Sequence, residues 1–274
     1  MNTQIDKKKI TDGNREAWNE ALGFHRRARD NRLHRGFASL DFTVFDFERE
    51  GDVIAFNKLR EIDFKGKTIA QLPCNNGSEL LSLMRFGAEE GAGFDISDAA
   101  IAEARELQEI SGLNVSFERI NILEIGEEHN GRFDFIYITE GSLQWFPCLN
   151  EYFGVVARLL KKGGQILIFE MHPFSYFFEN GFDPKIHNFT GLTSYFDKGP
   201  YSYKEGLDYV GGTEYEAKEC FWFMHKLSDI FTALRENGIE VREFHEYNFD
   251  VAGNKAVEFI DKFPLSYMLT GEKR

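Results

Sequence analysis

Short apolar segments alternate with helical segments along residues 67–171, and this alternation constrains the fold more than any other feature. In chain order the apolar segments are KTIAQL, GAGFDIS, NVSFERINI, FDFIYITEG and QILIFEMHPF. Two of the segments between them, DAAIAEARELQEISG and NEYFGVVARLLKKGG, have the length of helices and end at glycine. Strands that alternate with helices of about 10–15 residues form βαβ units with a parallel sheet. The fourth segment is almost continuously apolar, which is typical of a strand covered on both faces.

Two helices are predicted before this sheet, at residues 14–30 and 50–62. The first carries Trp18 and His25 on one face, at the spacing of an amphipathic helix. Because both helices lie outside the βαβ pattern, we expect residues 1–65 to form an N-terminal helical lid.

The pattern breaks again at residues 173–224, which are rich in Phe, Tyr and Gly. So many aromatic residues are unusual in an exposed loop, and the glycines disfavour a long helix. We therefore expect a cap inserted after the fifth strand, which is also a candidate surface for a homodimer contact. After a helix at HKLSDIFTALRENG, the segments IEVREFHEY and LSYMLTGEK are predicted to pair as a terminal antiparallel hairpin. Residues 66–274 thus form one α/β domain with a mostly parallel seven-stranded sheet.

The composition excludes several classes of protein. Acidic residues outnumber basic residues by 45 to 32, for a net charge of −13, so the chain repels phosphate backbones and no nucleic-acid partner is expected. No apolar run approaches the roughly 20 residues of a bilayer span, and no membrane partner is expected. Cys74, Cys148 and Cys220 are too widely spaced for a disulfide framework or a metal site. With no apolar leader segment, these features predict a cytoplasmic protein that holds no metal.

Polar side chains stand where the predicted strands end, and ligands of parallel α/β sheets bind at that edge. The first strand ends in the turn at residues 71–77, the second at Asp95, the third at Asn121 and the fourth at Glu140. An acid after the second strand can accept hydrogen bonds from both hydroxyls of a ribose. The carboxamide of Asn121 could pair with an adenine edge. The strand ends therefore predict a site for a nucleoside.

This order of motifs resembles the class I S-adenosylmethionine (SAM)-dependent methyltransferases, and among them those that act on small molecules. The resemblance spans about residue 66 to the C-terminus, and WNEALGFH also resembles the N-terminal lid helix of these enzymes. It rests on L-x-C-x-x-G at 72–77, G-x-D-x-S at 93–97, FDFIYITEGSLQWFP, LLKKGGQILIFEMHPF and HKLSDIFTAL. It implies a Rossmann-like class I methyltransferase fold with SAM as cofactor. The cofactor-binding residues that it implies are Trp18, Gln71, Pro73, Cys74, Asn75, Gly77, Asp95, Ile96, Asn121, Ile122, Glu140 and Gly141.

The loop after the first strand departs from the glycine-rich pattern of the family. Gln71 stands where the family has an acid, and Pro73 and Asn75 replace glycines. Gly77 is retained, where the lack of a side chain would let the backbone approach the methionine part of SAM. Asn75 is expected to substitute in part for glycine, because asparagine tolerates the left-handed conformation.

The resemblance implies transfer of a methyl group to N or O of a small aromatic or heterocyclic metabolite. The acceptor atom must lie about 3–3.5 Å from the methyl group, and aromatic rings favour the cationic sulfonium. An acceptor that must lose a proton needs a base. The candidate bases are Glu140, His172, His25 and His225, and the candidate substrate-binding residues are Trp145, Tyr176 and Phe177.

These assignments have alternatives. A nicotinamide oxidoreductase would need G-x-G-x-x-G, which PCNNG does not provide. A non-catalytic methyltransferase-like binding protein and a SAM-binding enzyme with a different reaction stay open. Each candidate residue also has a purely structural alternative. Asp95 could cap a helix, Asn121 could complete a turn, and Glu140 could be a solvated carboxylate. His172 could hydrogen-bond the backbone, His225 could be a cap or core residue, Trp18 and His25 could pack in the core, and Cys74 could be a small buried side chain.

Overall fold

The fold is taken from a computed structural model that describes residues 6–45, 50–178, 194–251 and 262–274. The described residues form the strands β1 (Thr68–Gln71), β2 (Glu90–Asp95), β3 (Val115–Arg119), β4 (Phe133–Ile138), β5 (Leu160–Met171), β6 (Tyr201–Tyr203), β7 (Cys220–Trp222), β8 (Ile239–Tyr247) and β9 (Ser266–Lys273). Seven of them make one sheet in the order β3-β2-β1-β4-β5-β9-β8, and β6 pairs with β7 in a second, small sheet. Strands β1 to β5 are parallel, whereas β9 is antiparallel to both β5 and β8. The predicted mostly parallel sheet with a terminal antiparallel hairpin is therefore confirmed.

The helices follow the predicted pattern, with some differences at their ends. They are α1 (Lys7–Arg29), α2 (Arg32–Phe37), α3 (Glu50–Arg60), α4 (Ser78–Met84), α5 (Asp98–Ser111), α6 (Leu149–Leu159) and α7 (Leu227–Glu236). The residues at the two ends of α5 explain where this helix begins and ends. Its N-cap is Ser97, whose hydroxyl accepts a hydrogen bond from the Ala100 N–H at 3.1 Å, and Gly112 ends it in the left-handed conformation.

Both faces of the large sheet are covered, which explains the continuous apolar sequence of β4. Ile136 and Ile138 pack into the core that α6 and α7 build on one face. Phe135 and Tyr137 pack into the core beneath α3, α4 and α5 on the other face. Alternate residues of one strand thus serve two cores, as the pleat of a β-strand requires. None of the helices in the described ranges has the length and apolar character of a bilayer span.

Helix α1 is attached to both the sheet domain and the small β6–β7 sheet. The Asn14 side chain donates to the Phe221 carbonyl at 2.9 Å and accepts from the Phe221 N–H at 2.6 Å. At the other contact, Arg15 donates to Asp98 at 2.7 Å, and Asn19 accepts from the Ser97 hydroxyl at 2.7 Å. One helix therefore connects the start of α5 with the predicted insertion, of which residues 179–193 lie outside the described ranges.

Candidate functional site

A cavity of about 1560 Å³ opens where the parallel strands end. Its walls include Pro73 after β1, Asp95 at the end of β2, Asn121 after β3 and Glu140 after β4. The chain runs from β1 to β2 on one side and from β4 to β5 on the other side of the sheet. The strand order therefore reverses between β1 and β4, and α/β proteins bind ligands at such a switch point. Ligand pockets for one drug-sized molecule are typically about 300–1,000 Å³. This cavity therefore has room for two small molecules side by side.

The turn after β1 is shaped by asparagine and glycine in the left-handed conformation. Asn75 has φ of 48°, and its Oδ1 accepts from the Asn76 N–H at 2.7 Å. Gly77 has φ of 71°, and a Cβ there would stand 2.4 Å from the Phe117 ring. Glycine is thus required at position 77 by its positive φ and by the packing against Phe117 of β3. Asn75, in contrast, adopts the conformation that the sequence predicted for it.

Two of the predicted cofactor residues do not line the cavity. Gln71 is buried at 1% exposure, and its Nε2 donates to Glu79 and to Thr139. Gly77 faces Phe117, as described above. Gln71 therefore joins the ends of β1 and β4 through Glu79 and Thr139, which corrects its assignment as a ligand contact. The predicted residues that line the cavity are Trp18, Pro73, Cys74, Asn75, Asp95, Ile96, Asn121, Ile122, Glu140 and Gly141.

Asp95 is a buried carboxylate with one side open to the cavity. It is 8% exposed, and it accepts from the Asn75 N–H at 2.8 Å and from the Ser97 N–H at 2.9 Å. Burial raises the pKa of Asp95 to about 6, although these hydrogen bonds lower it. A carboxylate offers about four acceptor positions, so Asp95 keeps acceptor capacity for a ligand beside its backbone hydrogen bonds from Asn75, Ile96 and Ser97. Since Ser97 caps α5, the helix-cap alternative for Asp95 is wrong.

Asn121 completes a turn, which is the structural role considered for it as an alternative. Its Oδ1 accepts from the Leu123 N–H at 3.2 Å, and its Nδ2 donates to Glu124 Oε1 at 3.3 Å. These bonds cap the short 3₁₀ turn Ile122–Glu124. Asn121 still lines the cavity, and half of its side-chain hydrogen-bonding capacity is used within the turn.

The loop after β4 is held by Glu170, a residue that the sequence analysis missed. Glu170 is 3% exposed near the end of β5, and it accepts from the N–H groups of Gly141, Ser142 and Leu143. Burial raises its pKa to about 7. Because the bonded groups directly follow Glu140, this carboxylate fixes the position of Glu140 at the cavity. The available signal was an acid inside the apolar strand QILIFEM.

The three candidate histidines lie outside the cavity lining. His25 Nε2 donates to the Leu207 carbonyl at 2.9 Å, and His225 Nε2 donates to the Phe146 carbonyl at 2.8 Å. His172 Nδ1 accepts from the Phe174 N–H at 3.0 Å. Burial lowers the pKa of all three, that of His225 to about 4.

His25 and His225 thus connect distant segments of the backbone, and His172 bonds the adjacent chain, in agreement with their alternative structural roles. Their assignment as bases is therefore corrected, and Glu140 is the candidate base that lines the cavity.

Of the candidate substrate-binding residues, some line the cavity and others do not. Trp145 lines the cavity with its ring centroid 5.5 Å from that of Trp18, in an edge-to-face contact. Tyr176 lies outside the lining, donates to Gln144 Oε1 at 2.9 Å and stacks on Trp222. The side chain of Phe177 lies outside the described residues. Tyr209, from the insertion, lines the cavity without having been predicted.

Cys74 lines the cavity, but its thiol is expected to be unreactive. It is 2% exposed, and burial raises the pKa of its thiol well above the usual value. A protonated thiol is a poor nucleophile, which agrees with a small buried side chain. In the part of the chain that the structure describes, no three His, Cys, Asp or Glu side chains are grouped to hold a metal ion.

Comparison with known proteins finds a methyltransferase domain in the chain. A family model described as a methyltransferase domain matches residues 69–164. A ubiquinone biosynthesis O-methyltransferase of Pseudomonas paraeruginosa is 31% identical over 103 residues, which are 38% of this chain and 44% of that protein. The matched segment is thus less than half the length of that curated relative.

Solved structures share the fold at low sequence identity. An S-adenosylmethionine-dependent methyltransferase from Mesorhizobium loti has a TM-score of 0.64 at 17% identity, over 83% of this chain and all of that one. A magnesium protoporphyrin IX methyltransferase from Synechocystis PCC 6803, solved with bound S-adenosylhomocysteine (SAH), has a TM-score of 0.57 at 17% identity, over 98% of this chain and all of that one. The strand order β3-β2-β1-β4-β5-β9-β8 and these likenesses show that the chain has the class I methyltransferase fold, with a methyltransferase domain matched at residues 69–164.

Proposed function

We propose that the protein transfers a methyl group from SAM to a nitrogen or oxygen atom of a small aromatic or heterocyclic molecule. The observation that carries the proposal is Asp95, a partly satisfied carboxylate at the end of β2 that faces a cavity with room for two ligands. The curated relative, an O-methyltransferase, supports an oxygen acceptor as one form of the proposal. The homodimer contact and the cytoplasmic location stay predictions.

The cavity residues fit a nucleoside that carries a positive centre. Asp95 would accept from the ribose hydroxyls, and Ile96 and Ile122 offer apolar surface to a base. The turn at Asn75 and Asn76 would hold the amino-acid end. When bound, SAM supplies an electrophilic methyl group, and the protein's task is to align an acceptor atom with it.

The substrate would occupy another part of the same cavity. Apolar surface there comes from Leu33, Val44, Phe45 and Met171. Trp18 and Trp145 add aromatic walls, which suit a flat ring. Glu140 would accept a proton where the acceptor atom must lose one.

Binding of SAH is expected to weaken as the pH falls below about 6. The ribose hydroxyls would donate to the ionised form of Asp95, whereas burial raises the pKa of Asp95 in the free protein to about 6. Protons and ligand therefore compete, and affinity should fall by up to about tenfold per pH unit below that pKa. Calorimetric titration at pH 5, 6, 7 and 8 measures this slope. The Asp95→Asn variant should show no such slope, and an equal slope in both proteins would assign it to another group.

Turnover tests the proposed function itself. The purified protein is incubated with SAM and with panels of phenols, aromatic amines and N-heterocycles, and SAH is quantified. Formation of SAH and of a methylated product with at least one class supports methyl transfer. Tight SAH binding without turnover of any class would favour the non-catalytic alternative.

A further inference from the structure

Residues 206–215 of the insertion form an arm that is anchored on α1. The Leu207 carbonyl accepts from His25 at 2.9 Å, and the Leu207 N–H donates to the Tyr215 hydroxyl at 3.2 Å. Tyr215 in turn stacks on Phe24 of α1, with ring centroids 4.3 Å apart. Contacts on both sides of position 207 therefore fix the arm to the helix.

The tip of the arm is tied internally by Asp208. This carboxylate is 7% exposed and accepts from the Gly211 N–H at 2.8 Å and from the Thr213 N–H at 3.0 Å. It also lies 3.6 Å from His25 Nε2. The Asp208 carboxylate thus stabilises the turn at 208–213, which holds Tyr209 in a defined place.

Tyr209 projects from this turn into the cavity. Tyr209 lines the cavity, and the residue is 62% exposed. The ring centroid lies 4.5 Å from that of His25 and 6.4 Å from that of Trp18, in edge contacts. A ligand in the cavity can therefore contact the ring.

The hydroxyl end of Tyr209 lies over the switch point of the sheet. It interacts with the Asn75 side chain after β1 and with the fields of Glu140 after β4 and Glu79 in α4. Enclosure by the cavity walls, followed by these carboxylates, raises the pKa of Tyr209 to about 12 despite the nearby Arg29. The hydroxyl therefore stays neutral, and the local excess of charge is negative.

This place corresponds to the middle of the proposed cofactor. Asp95 after β2 would hold the ribose, and the substrate would lie elsewhere in the same cavity. Between them, above β1 and β4, would lie the sulfur, which carries a positive charge in SAM and none in SAH. An aromatic ring beside carboxylates attracts a cation through its quadrupole and through Coulomb forces.

We propose that Tyr209 is a specificity residue that recognises the positive charge of the cofactor and makes the cavity prefer SAM to SAH. The inference rests on the proposed function. Preference for the charged form would also help the neutral product to leave after transfer.

The test compares SAM with SAH binding in four proteins without substrate. Tyr209→Leu removes the ring, Tyr209→Phe keeps it, and Phe196→Leu is the matched control, since Phe196 is an exposed aromatic residue of the insertion outside the cavity lining. The measured quantity is the ratio of the SAH Kd to the SAM Kd from calorimetry. Thermal unfolding checks that each variant is folded.

We expect Tyr209→Leu to lower this ratio by about 2- to 30-fold, the range of a cation–π contact. Tyr209→Phe and Phe196→Leu should keep the wild-type ratio. An unchanged ratio in Tyr209→Leu, including equal weakening of both ligands, would overturn the inference while leaving the proposed function intact. Failure of the wild-type protein to bind either ligand would reject both proposals.

Discussion

Replacement of Asp95 by asparagine is expected to weaken SAH binding by about 10- to 150-fold at pH 8. The reason is the loss of a charged acceptor for the ribose, worth roughly 1.5–3 kcal/mol. The pKa of Asp95 is about 6, so the wild-type side chain is ionised at this pH. Calorimetric titration of both proteins measures the effect.

Asparagine is preferred to alanine because Asp95 also has a structural role. It accepts the N–H groups of Asn75 and Ser97, and alanine would leave both unpaired. The matched control is Asp63→Asn, since Asp63 likewise accepts the N–H two residues on, from Lys65, but is exposed and outside the cavity lining. Equal SAH affinity in wild type and Asp95→Asn would show that Asp95 only holds the turn.

Replacement of Glu170 by alanine is expected to destabilise the fold by about 3 kcal/mol or more. The N–H groups of Gly141, Ser142 and Leu143 would lose their acceptor in the interior, at about 1–3 kcal/mol each. For a chain of this size the melting temperature should fall by about 6–12 °C. Glu243→Ala, which removes a surface ion pair between the exposed Glu243 and the partly buried Lys58, is the control and should cost about 1 kcal/mol or less.

The glutamine variant tests the charge of Glu170 separately. Its folded pKa of about 7 exceeds the usual 4.5, so the folded protein binds an extra proton between these values. Wild-type stability should therefore fall as the pH rises through this window, and Glu170→Gln should lack that decrease. Urea unfolding at pH 5 and pH 8 measures both slopes. Wild-type stability that rises relative to the variant would show that the hydrogen bonds outweigh burial.

The fold was largely predictable because local patterns and the sheet agree. Apolar runs of strand length, helices that end at glycine and the acid at position 95 are all local features. The start of α1 was placed late, at residue 14 rather than Lys7, because its first turn is a run of lysines without an apolar face. The strand β5 begins directly after α6 at Leu160, since the glycines at 163 and 164 form a bend rather than a stop.

The candidate site was predictable only where it lies at strand ends. Asp95 and Glu140 follow from that rule, and Asn75 follows from its tolerance of positive φ. Whether a histidine faces a cavity or a carbonyl depends on partners far along the chain, such as Leu207 for His25. The position of Tyr209 depends on the same long-range contact, so no local pattern could have revealed it.

Titration of the wild-type protein with SAH tests the central claim most directly. The structure predicts saturable binding at one site per chain, a rise in melting temperature with ligand concentration, and loss of most of the affinity in Asp95→Asn. No heat and no thermal shift at millimolar SAH would contradict the assignment of the cavity to this cofactor.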